Sequence, residues 1–298
     1  MIRLASILFI FAAARAMAQD TINWASEPNA VNLTSAGVPM DAGFRFELGV
    51  FQGAFVPTVA NLTQWSANWK AAQRTGYNTE RSRFADSFAL ADNAAPFTVG
   101  KAAFVWGFRG DAQASEWILF RANPWNWPSA ASFPPAFFQW NAKDAVAVIG
   151  AIHPSGSPFL MKSAPVAGVS PPVTTWAQWR AENLSGVVEN GAGQDPDRDG
   201  TSNLLEFVFG TNPMKPGHAS LLPVSLIDVG EQRHAAITVP RRIDHLAILK
   251  VEVSSDLTTW LADTVIVENF PGALLVRDAV PLDPANPKRF LRLKAQIP

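Results

Sequence analysis

The sequence predicts a mostly β protein with two β-sandwich-like domains, joined by a proline-rich linker and a short helical segment. Short apolar segments recur along the chain, partly alternating with polar residues and bounded by glycine, proline or asparagine. The composition combines 48% hydrophobic and only 16% charged residues with 23 prolines and 11 tryptophans, which is typical of a folded protein rich in strands and turns. A length of 298 residues suits two domains rather than one.

The first 18 residues have the pattern of a signal peptide. Arg3 gives a positive start, residues 4–14 are apolar, and Ala16-Met17-Ala18 is a small-x-small cleavage site that places the cut before Gln19. A membrane anchor is the alternative, but the apolar run is shorter than the roughly 20 residues that span a bilayer, and Arg15 interrupts it. We therefore expect a secreted, periplasmic or cell-surface protein with no membrane span after cleavage.

Residues 19–162 are predicted to form an amino-terminal β-rich domain with one helix. Asn61 is a plausible helix cap, and Leu62, Trp65, Trp69 and Ala72 follow at helical spacing. The strand candidates of this domain are residues 44–51, 102–108, 116–121 and 145–152.

The second half of the chain begins after a predicted linker at residues 163–173, which is rich in proline and small residues. Residues 174–216 are expected to hold a short helix, at 174–184, and then an acidic loop. A carboxy-terminal β-sandwich domain is predicted for residues 217–298, with strand candidates at 235–239, 246–254, 264–267, 273–276 and 289–293.

The acidic loop, residues 195–206, matches the calcium loop of an EF-hand. Asp195, Asp197 and Asp199 occupy loop positions 1, 3 and 5, Gly200 permits the sharp turn at position 6, and Glu206 stands at position 12. Calcium takes six to eight oxygen ligands, whereas magnesium prefers six short octahedral bonds, so a bidentate glutamate favours calcium. The alternative to a metal site is an ordinary solvated acidic turn, because Asp is common in turns.

The remaining positions refine the predicted Ca²⁺ site. Thr201 would offer its backbone carbonyl at position 7, and Asn203 its side chain or a bound water at position 9. Residues 188–194 make a poor entering helix, whereas residues 203–209 make a good exiting helix that ends at Gly210. Ser202 at position 8 is polar where paired EF-hands usually carry an aliphatic residue. The sequence therefore predicts half an EF-hand rather than a paired sensor.

The stretch DPDRDGTSNLLEFVFGTNP resembles the calcium repeats of bacterial exported proteins of the thrombospondin type 3-like class, with dockerins as more distant relatives. Asp195, Asp197, Asp199, Asn203 and Glu206 stand where those repeats carry their acidic residues and Asn. A single loop departs from the duplicated pair of dockerins, and the chain lacks the further repeats and cysteines of long thrombospondin arrays. The segments VEVSSDLTTW and FLRL also resemble a small β domain that ends such proteins, which implies an accessory or surface role.

Other kinds of chemistry find little support in the sequence. The formal net charge is −1 and no basic run occurs, which argues against nucleic acid and anionic membrane as partners. There is no cysteine for thiol catalysis or a disulfide, no GxSxG elbow, no P-loop, and no close histidine pair for zinc among His153, His218, His234 and His245.

Two features leave a carbohydrate-related function open. Glu47 and Glu116 each lie in an apolar strand and could belong to a glycosidase pair, although we expect both to face solvent. Trp125, Trp127 and Trp140 could form an exposed sugar-stacking platform, although we favour their burial at the end of a β-sandwich core.

The function that these patterns favour is that of an exported, non-enzymatic calcium-binding protein. Calcium would make the junction between the two β domains rigid, in a structural or adhesive role at the cell envelope or outside the cell. The expected partner is a protein or polysaccharide at the cell surface, and neither nucleic acid nor a membrane. The alternative is a carbohydrate-binding module or carbohydrate-active enzyme that uses the tryptophan-rich amino-terminal domain.

Overall fold

The computed structural model describes residues 19–90, 92–110, 114–130, 132–217, 222–282 and 288–298. Within these ranges the chain is mostly β, as predicted, with short helices between the strands. The signal peptide predicted for residues 1–18 lies outside the described residues. None of the helices in the described ranges has the length and apolar character needed to cross a membrane.

The amino-terminal half contains twelve described strands and one short α-helix. The helix is α1 (Trp65–Asn68), which follows a 3-10 helix at Val59–Gln64. The strands are β1 (Thr21–Ala25), β2 (Asn32–Leu33), β3 (Arg45–Phe51), β4 (Trp69–Gly76), β5 (Ala85–Ala89), β6 (Ala103–Gly110), β7 (Ser115–Arg121), β8 (Phe137–Asn141), β9 (Val146–Ile149), β10 (Ala151–Ile152), β11 (Met161–Lys162) and β12 (Ala164–Val166).

The main sheet has the strand order β12-β7-β6-β3-β4, with β9 also paired to β7. A second sheet, β5-β1-β8, packs over one of its faces and contributes Ile22 and Trp24 to the first core. The opposite face of the main sheet carries a second core that includes Trp65, Trp106 and Trp117. Both faces of β6 are therefore buried, which explains why its sequence is apolar rather than alternating.

The predicted helix over residues 61–72 is mostly wrong. Trp69 lies in β4, where it pairs with Phe51 of β3, and the two rings are 5.0 Å apart. The indole packs over Gly49, where an added Cβ would lie 2.6 Å from a ring carbon. Strand pairing and burial of this ring outweigh the helical spacing of the apolar residues.

The segment predicted as a linker, residues 163–173, is partly a strand of the main sheet. Strand β12 pairs antiparallel with β7, in the register Ala164 to Trp117 and Val166 to Ser115. Val166 and Val173 are both buried in the second core. This segment is therefore part of the amino-terminal fold as well as a connection.

The carboxy-terminal half begins with two helices, α2 (Trp176–Asn183) and α3 (Asn203–Phe209), which confirm the helices predicted there. Six strands follow: β13 (Val224–Val229), β14 (Gln232–Pro240), β15 (Ile248–Ser254), β16 (Thr264–Phe270), β17 (Ala273–Asp278) and β18 (Phe290–Gln296). They form a sheet of order β13-β14-β17-β16 and a two-stranded sheet β15-β18 around a small core. Five of the six match strand candidates, and only β13 has no counterpart in the sequence prediction.

Candidate metal centre

The acidic loop lies between α2 and α3 and turns sharply. Gly200 has φ +90° and Arg198 has φ +61°, so two residues adopt the left-handed conformation that the turn requires. Both oxygens of Asp195 accept backbone hydrogen bonds, from Arg198 N–H and from Gly200 N–H, each at 2.8 Å. The carboxylate at position 1 thus holds the turn in place.

The turn brings together the three aspartates of the predicted site. Oxygen atoms of Asp195, Asp197 and Asp199 lie within 4.8 Å of one another, and all three residues are partly buried. One oxygen of Asp197 accepts the Asp199 N–H at 3.2 Å, and one oxygen of Asp199 accepts the Thr201 N–H at 2.7 Å. These bonds orient the carboxylates, and Thr201 stands at the seventh loop position as predicted.

Glu206 reaches the loop from the first turn of α3. Its side chain is 1% exposed, and one oxygen accepts a hydrogen bond from Thr211 Oγ1 at 3.1 Å. The tight group of three carboxylates does not include Glu206. Its charge still interacts with all three: burial first, and then the charges of Asp197, Asp199 and Asp195, raise the pKa of Glu206 to about 7.

Three buried oxygen atoms at this site have no hydrogen-bond donor among the described residues: Asp197 Oδ2, Asn203 Oδ1 and Glu206 Oε2. A buried acceptor without a donor is costly, and buried charge is costlier. A cation at the three converging aspartates would reduce the repulsion between the carboxylates, and it would satisfy those of the unpartnered oxygens that reach it. The donor set, all oxygen, suits calcium.

Asn203 also has a role that sequence reasoning missed. Its side-chain Nδ2 donates to the backbone carbonyls of Glu189 and Gly191, at 3.0 and 2.9 Å. The backbone N–H groups of Asn203 and Leu204 donate to carbonyls of Gln194 and Ala192. These bonds tie residues 189–194 to α3 and so replace the entering helix of a full EF-hand. No sequence pattern reveals this contact, because the acceptors are backbone groups of a non-helical segment.

Burial and hydrogen bonding act in opposite directions on the aspartates. Burial raises the pKa of Asp199, but the N–H groups of Thr201 and Gly217 outweigh it, so the net shift is downward. The pKa of Asp197 is raised, first by burial and also by the charges of Asp199 and Asp195. The repulsion within the metal-free site therefore falls mainly on Asp197 and Glu206, whose unpartnered oxygens a cation would neutralise.

Helix α3 connects the loop to an aromatic cluster. Phe207 is fully buried against Trp176 and Trp179 of α2, whose rings stack 5.4 Å apart. On its other side, Phe207 stacks on the imidazole of His245, with centroids 4.7 Å apart and planes 10° apart. The His245 ring nitrogen also hydrogen-bonds to the Phe207 carbonyl. The residue next to Glu206 thus joins both helices to the segment around His245.

The segment at residues 241–246 continues this connection to both domains. Arg242 N–H donates to the Val208 carbonyl at 2.8 Å, and Thr174 N–H donates to the Asp244 carbonyl at 2.7 Å. From the amino-terminal sheet, Arg74 Nη1 donates to the His245 carbonyl at 3.4 Å. Leu246 packs against the second core. The acidic loop, α3, this segment and the main sheet therefore form one chain of contacts.

Neither glutamate singled out from the sequence faces open solvent. Glu47 is fully buried and bonds to Arg74 Nε and to Trp69 Nε1, each at 2.7 Å, so the expectation that it faces solvent is wrong. Glu116 is half-buried and accepts hydrogen bonds from Ser35 and Ser163. Both carboxylates therefore accept hydrogen bonds from side chains or backbone of other segments of the amino-terminal fold.

The tryptophans considered as a sugar platform are buried. Trp125, Trp127 and Trp140 are 3%, 1% and 6% exposed, and all belong to the first core. Trp125 and Trp140 stack on each other at 5.5 Å. This confirms the preferred expectation that these rings are buried in the core, and it removes the exposed platform.

Comparisons with protein-family models, with curated proteins and with solved structures find no match for this chain. The functional argument therefore depends on the geometry of the site itself.

Proposed function

We propose that this chain is an exported, non-enzymatic protein in which a single Ca²⁺ ion makes the junction between two β domains rigid. The observation that carries the proposal is the buried Glu206 carboxylate beside three converging aspartates, with oxygen atoms that lack a described donor. Such a site is stable with its carboxylates ionised only when a cation is bound.

Asp195, Asp197, Asp199 and Glu206 would hold the ion, with the Thr201 carbonyl and Asn203 as further oxygen donors. Calcium is preferred to magnesium because the site offers four carboxylates, whereas magnesium is bound through few carboxylates and keeps its waters. Extracellular calcium modules bind at about 0.1 to 1 mM. At the calcium concentration outside the cell the ion would act as a structural fixture rather than as a signal.

The effect of the ion would reach the junction through α3. Fixing Glu206 fixes the neighbouring Phe207, which packs on Trp176, Trp179 and His245. The His245 carbonyl is in turn a contact of Arg74 in the main sheet. We expect an adhesive or structural role at the cell envelope or outside the cell, with a protein or polysaccharide of the cell surface as partner.

The alternative function, sugar binding through the tryptophan-rich domain, loses its original basis. The three rings named for it are buried, and Glu116 is engaged by two serines. A sugar site on this domain would have to use other residues.

Calcium titration of the whole chain by calorimetry, after treatment with chelator, tests the proposal. We expect one site with a dissociation constant of about 0.1 to 1 mM. Asp199→Ala should weaken binding at least about tenfold, because one charged ligand is lost. Glu182→Gln, at an exposed acidic residue of the neighbouring helix α2, is the matched control and should bind as the wild type does. Absence of binding up to about ten times the expected constant would contradict the proposal.

A further inference from the structure

The sheet β5-β1-β8 packs one face against the first core, and its opposite, outer face is polar. Strand register places Ser87, Asn23 and Gln139 side by side in one row across the three strands. The next row is Ala85, Ala25 and Asn141. Alternate residues of a strand point to opposite faces, and Ile22 and Trp24 fill the first core, so these rows point outward.

A hollow of about 420 Å³ lies on this face. Its lining includes all six residues of the two rows. The small side chains Ala25 and Ala85 allow a ligand to approach the sheet closely.

The polar groups of the hollow are mostly uncharged and several are held in fixed orientations. Asn23 Oδ1 accepts from Ser87 Oγ at 2.6 Å, and the Asn23 amide N–H groups have no acceptor among the described residues. The Asn141 amide is fixed by two hydrogen bonds: Nδ2 donates to Glu27 at 2.9 Å, and Oδ1 accepts from Lys143 N–H at 3.0 Å. The exposed Gln139 side chain has no hydrogen-bond partner among the described residues. An amide offers donors and an acceptor at once, as does a pair of neighbouring sugar hydroxyls.

An exposed aromatic ring extends the same face. Phe137 lies two residues before Gln139 on β8 and is 68% exposed. At about 3.3 Å per residue the ring stands roughly 7 Å along the strand from Gln139. Aromatic rings present flat apolar faces, which suit the C–H face of a pyranose. The six residues of the two outward rows are all uncharged, and Arg83, just before β5, is a charged residue that lines the hollow beside them, so the rows themselves favour a neutral ligand.

We propose that the outer face of β5-β1-β8 binds a neutral saccharide chain. Asn23 and Gln139 would hydrogen-bond its hydroxyls, and Phe137 would stack on a neighbouring sugar ring. Site and ligand are complementary because uncharged amide and hydroxyl side chains of the two rows face uncharged sugar hydroxyls. The proposal is independent of the calcium site.

Affinity electrophoresis of the whole chain tests it, with four neutral polysaccharides in the gel: xylan, glucomannan, laminarin and hydroxyethyl cellulose. Polygalacturonate serves as an acidic arm. We expect at least one neutral polysaccharide to retard the wild type. Gln139→Ala and Phe137→Ala should each weaken that retardation about tenfold, because each removes one contact in a shallow site. Gln64→Ala, at an exposed glutamine outside the face, is the matched control and should behave as the wild type does.

Both substituted side chains are exposed, so the variants should fold, and equal melting temperatures verify this. Three results would overturn the proposal: no retardation by any of the four neutral polysaccharides, equal retardation of wild type and both variants, or retardation by polygalacturonate alone.

Discussion

Glu206 combines deep burial with a predicted role as a charged metal ligand. Its carboxylate is almost fully buried beside three aspartates, and its pKa is raised to about 7, first by burial. The motif spacing predicted this residue as a ligand because all the ligands come from one short loop. The same reasoning could not predict the pairing of Glu47 with Arg74, because their contact depends on the register of β3 and β4.

The raised pKa of Glu206 predicts how the stability of the metal-free chain depends on pH. Between about pH 4.5 and 7 the folded chain holds a proton that the unfolded chain releases, so the free energy of unfolding falls as pH rises through this window. In chelator, we expect the Glu206 contribution to raise the melting temperature at about pH 5 relative to that at about pH 7.5. Burial lowers the pKa of His245, which acts in the opposite direction, so the comparison with a neutral variant isolates the part due to Glu206. Glu206→Gln, which stays neutral, should lack the Glu206 contribution. Identical pH slopes for wild type and Glu206→Gln would refute this assignment.

The buried pair of Glu47 and Arg74 predicts a large effect on stability. Arg74→Ala leaves a fully buried carboxylate without its cation, so we expect the free energy of unfolding to fall by about 3 to 5 kcal/mol. Arg109→Ala is the matched control, since its pair with Asp41 is about half exposed, at 47% and 53%, and should cost less than about 1 kcal/mol. Urea unfolding measures both. Equal costs would show that burial of Glu47 has no energetic consequence.

At the scale of elements, sequence motifs predicted the secondary structure best where an element is fixed by residues close together in sequence. Helix α3 ends at Gly210 as predicted, because a left-handed glycine with φ +75° closes it. The helix predicted around Trp65 and Trp69 was mostly wrong, because Trp69 pairs with a strand distant in sequence. Strand β13 was not predicted. It lies at the edge of its sheet and its apolar residues Val224 and Leu226 are exposed, so its sequence need not alternate between buried apolar and exposed polar residues.

A substitution at Gly210 tests the contact between the end of α3 and Arg242. A Cβ at this position would lie 2.5 Å from Arg242 Cγ. Gly210→Ala should therefore cost the roughly 1 kcal/mol of a left-handed alanine and, in addition, displace Arg242 from Val208 and Asp244. Gly186→Ala is the matched control, because Gly186 has φ +76° and no atom within 4 Å of an added Cβ. Denaturant unfolding should show the larger loss for Gly210→Ala, and equal losses would argue against the contact.

At the scale of the whole molecule, the two halves are connected more closely than a linker implies. Leu246 packs on the second core and Phe270 packs on the first, although both residues belong to the carboxy-terminal half. The class of fold was predictable from composition and short apolar segments. The contacts between the halves were not, because they join residues far apart in sequence through backbone carbonyls and single apolar side chains.

Thermal unfolding of the whole chain, in calcium and in chelator, tests the central claim most directly. At about ten times the dissociation constant, calcium adds about 1.4 kcal/mol to the folded state. That is about 3 °C for a chain of this size. We expect a rise of about this size for the wild type and for Glu182→Gln, and a rise of no more than about 1 °C for Asp199→Ala, whose binding is at least about tenfold weaker. Equal melting curves for the wild type in calcium and in chelator would contradict a calcium-set junction.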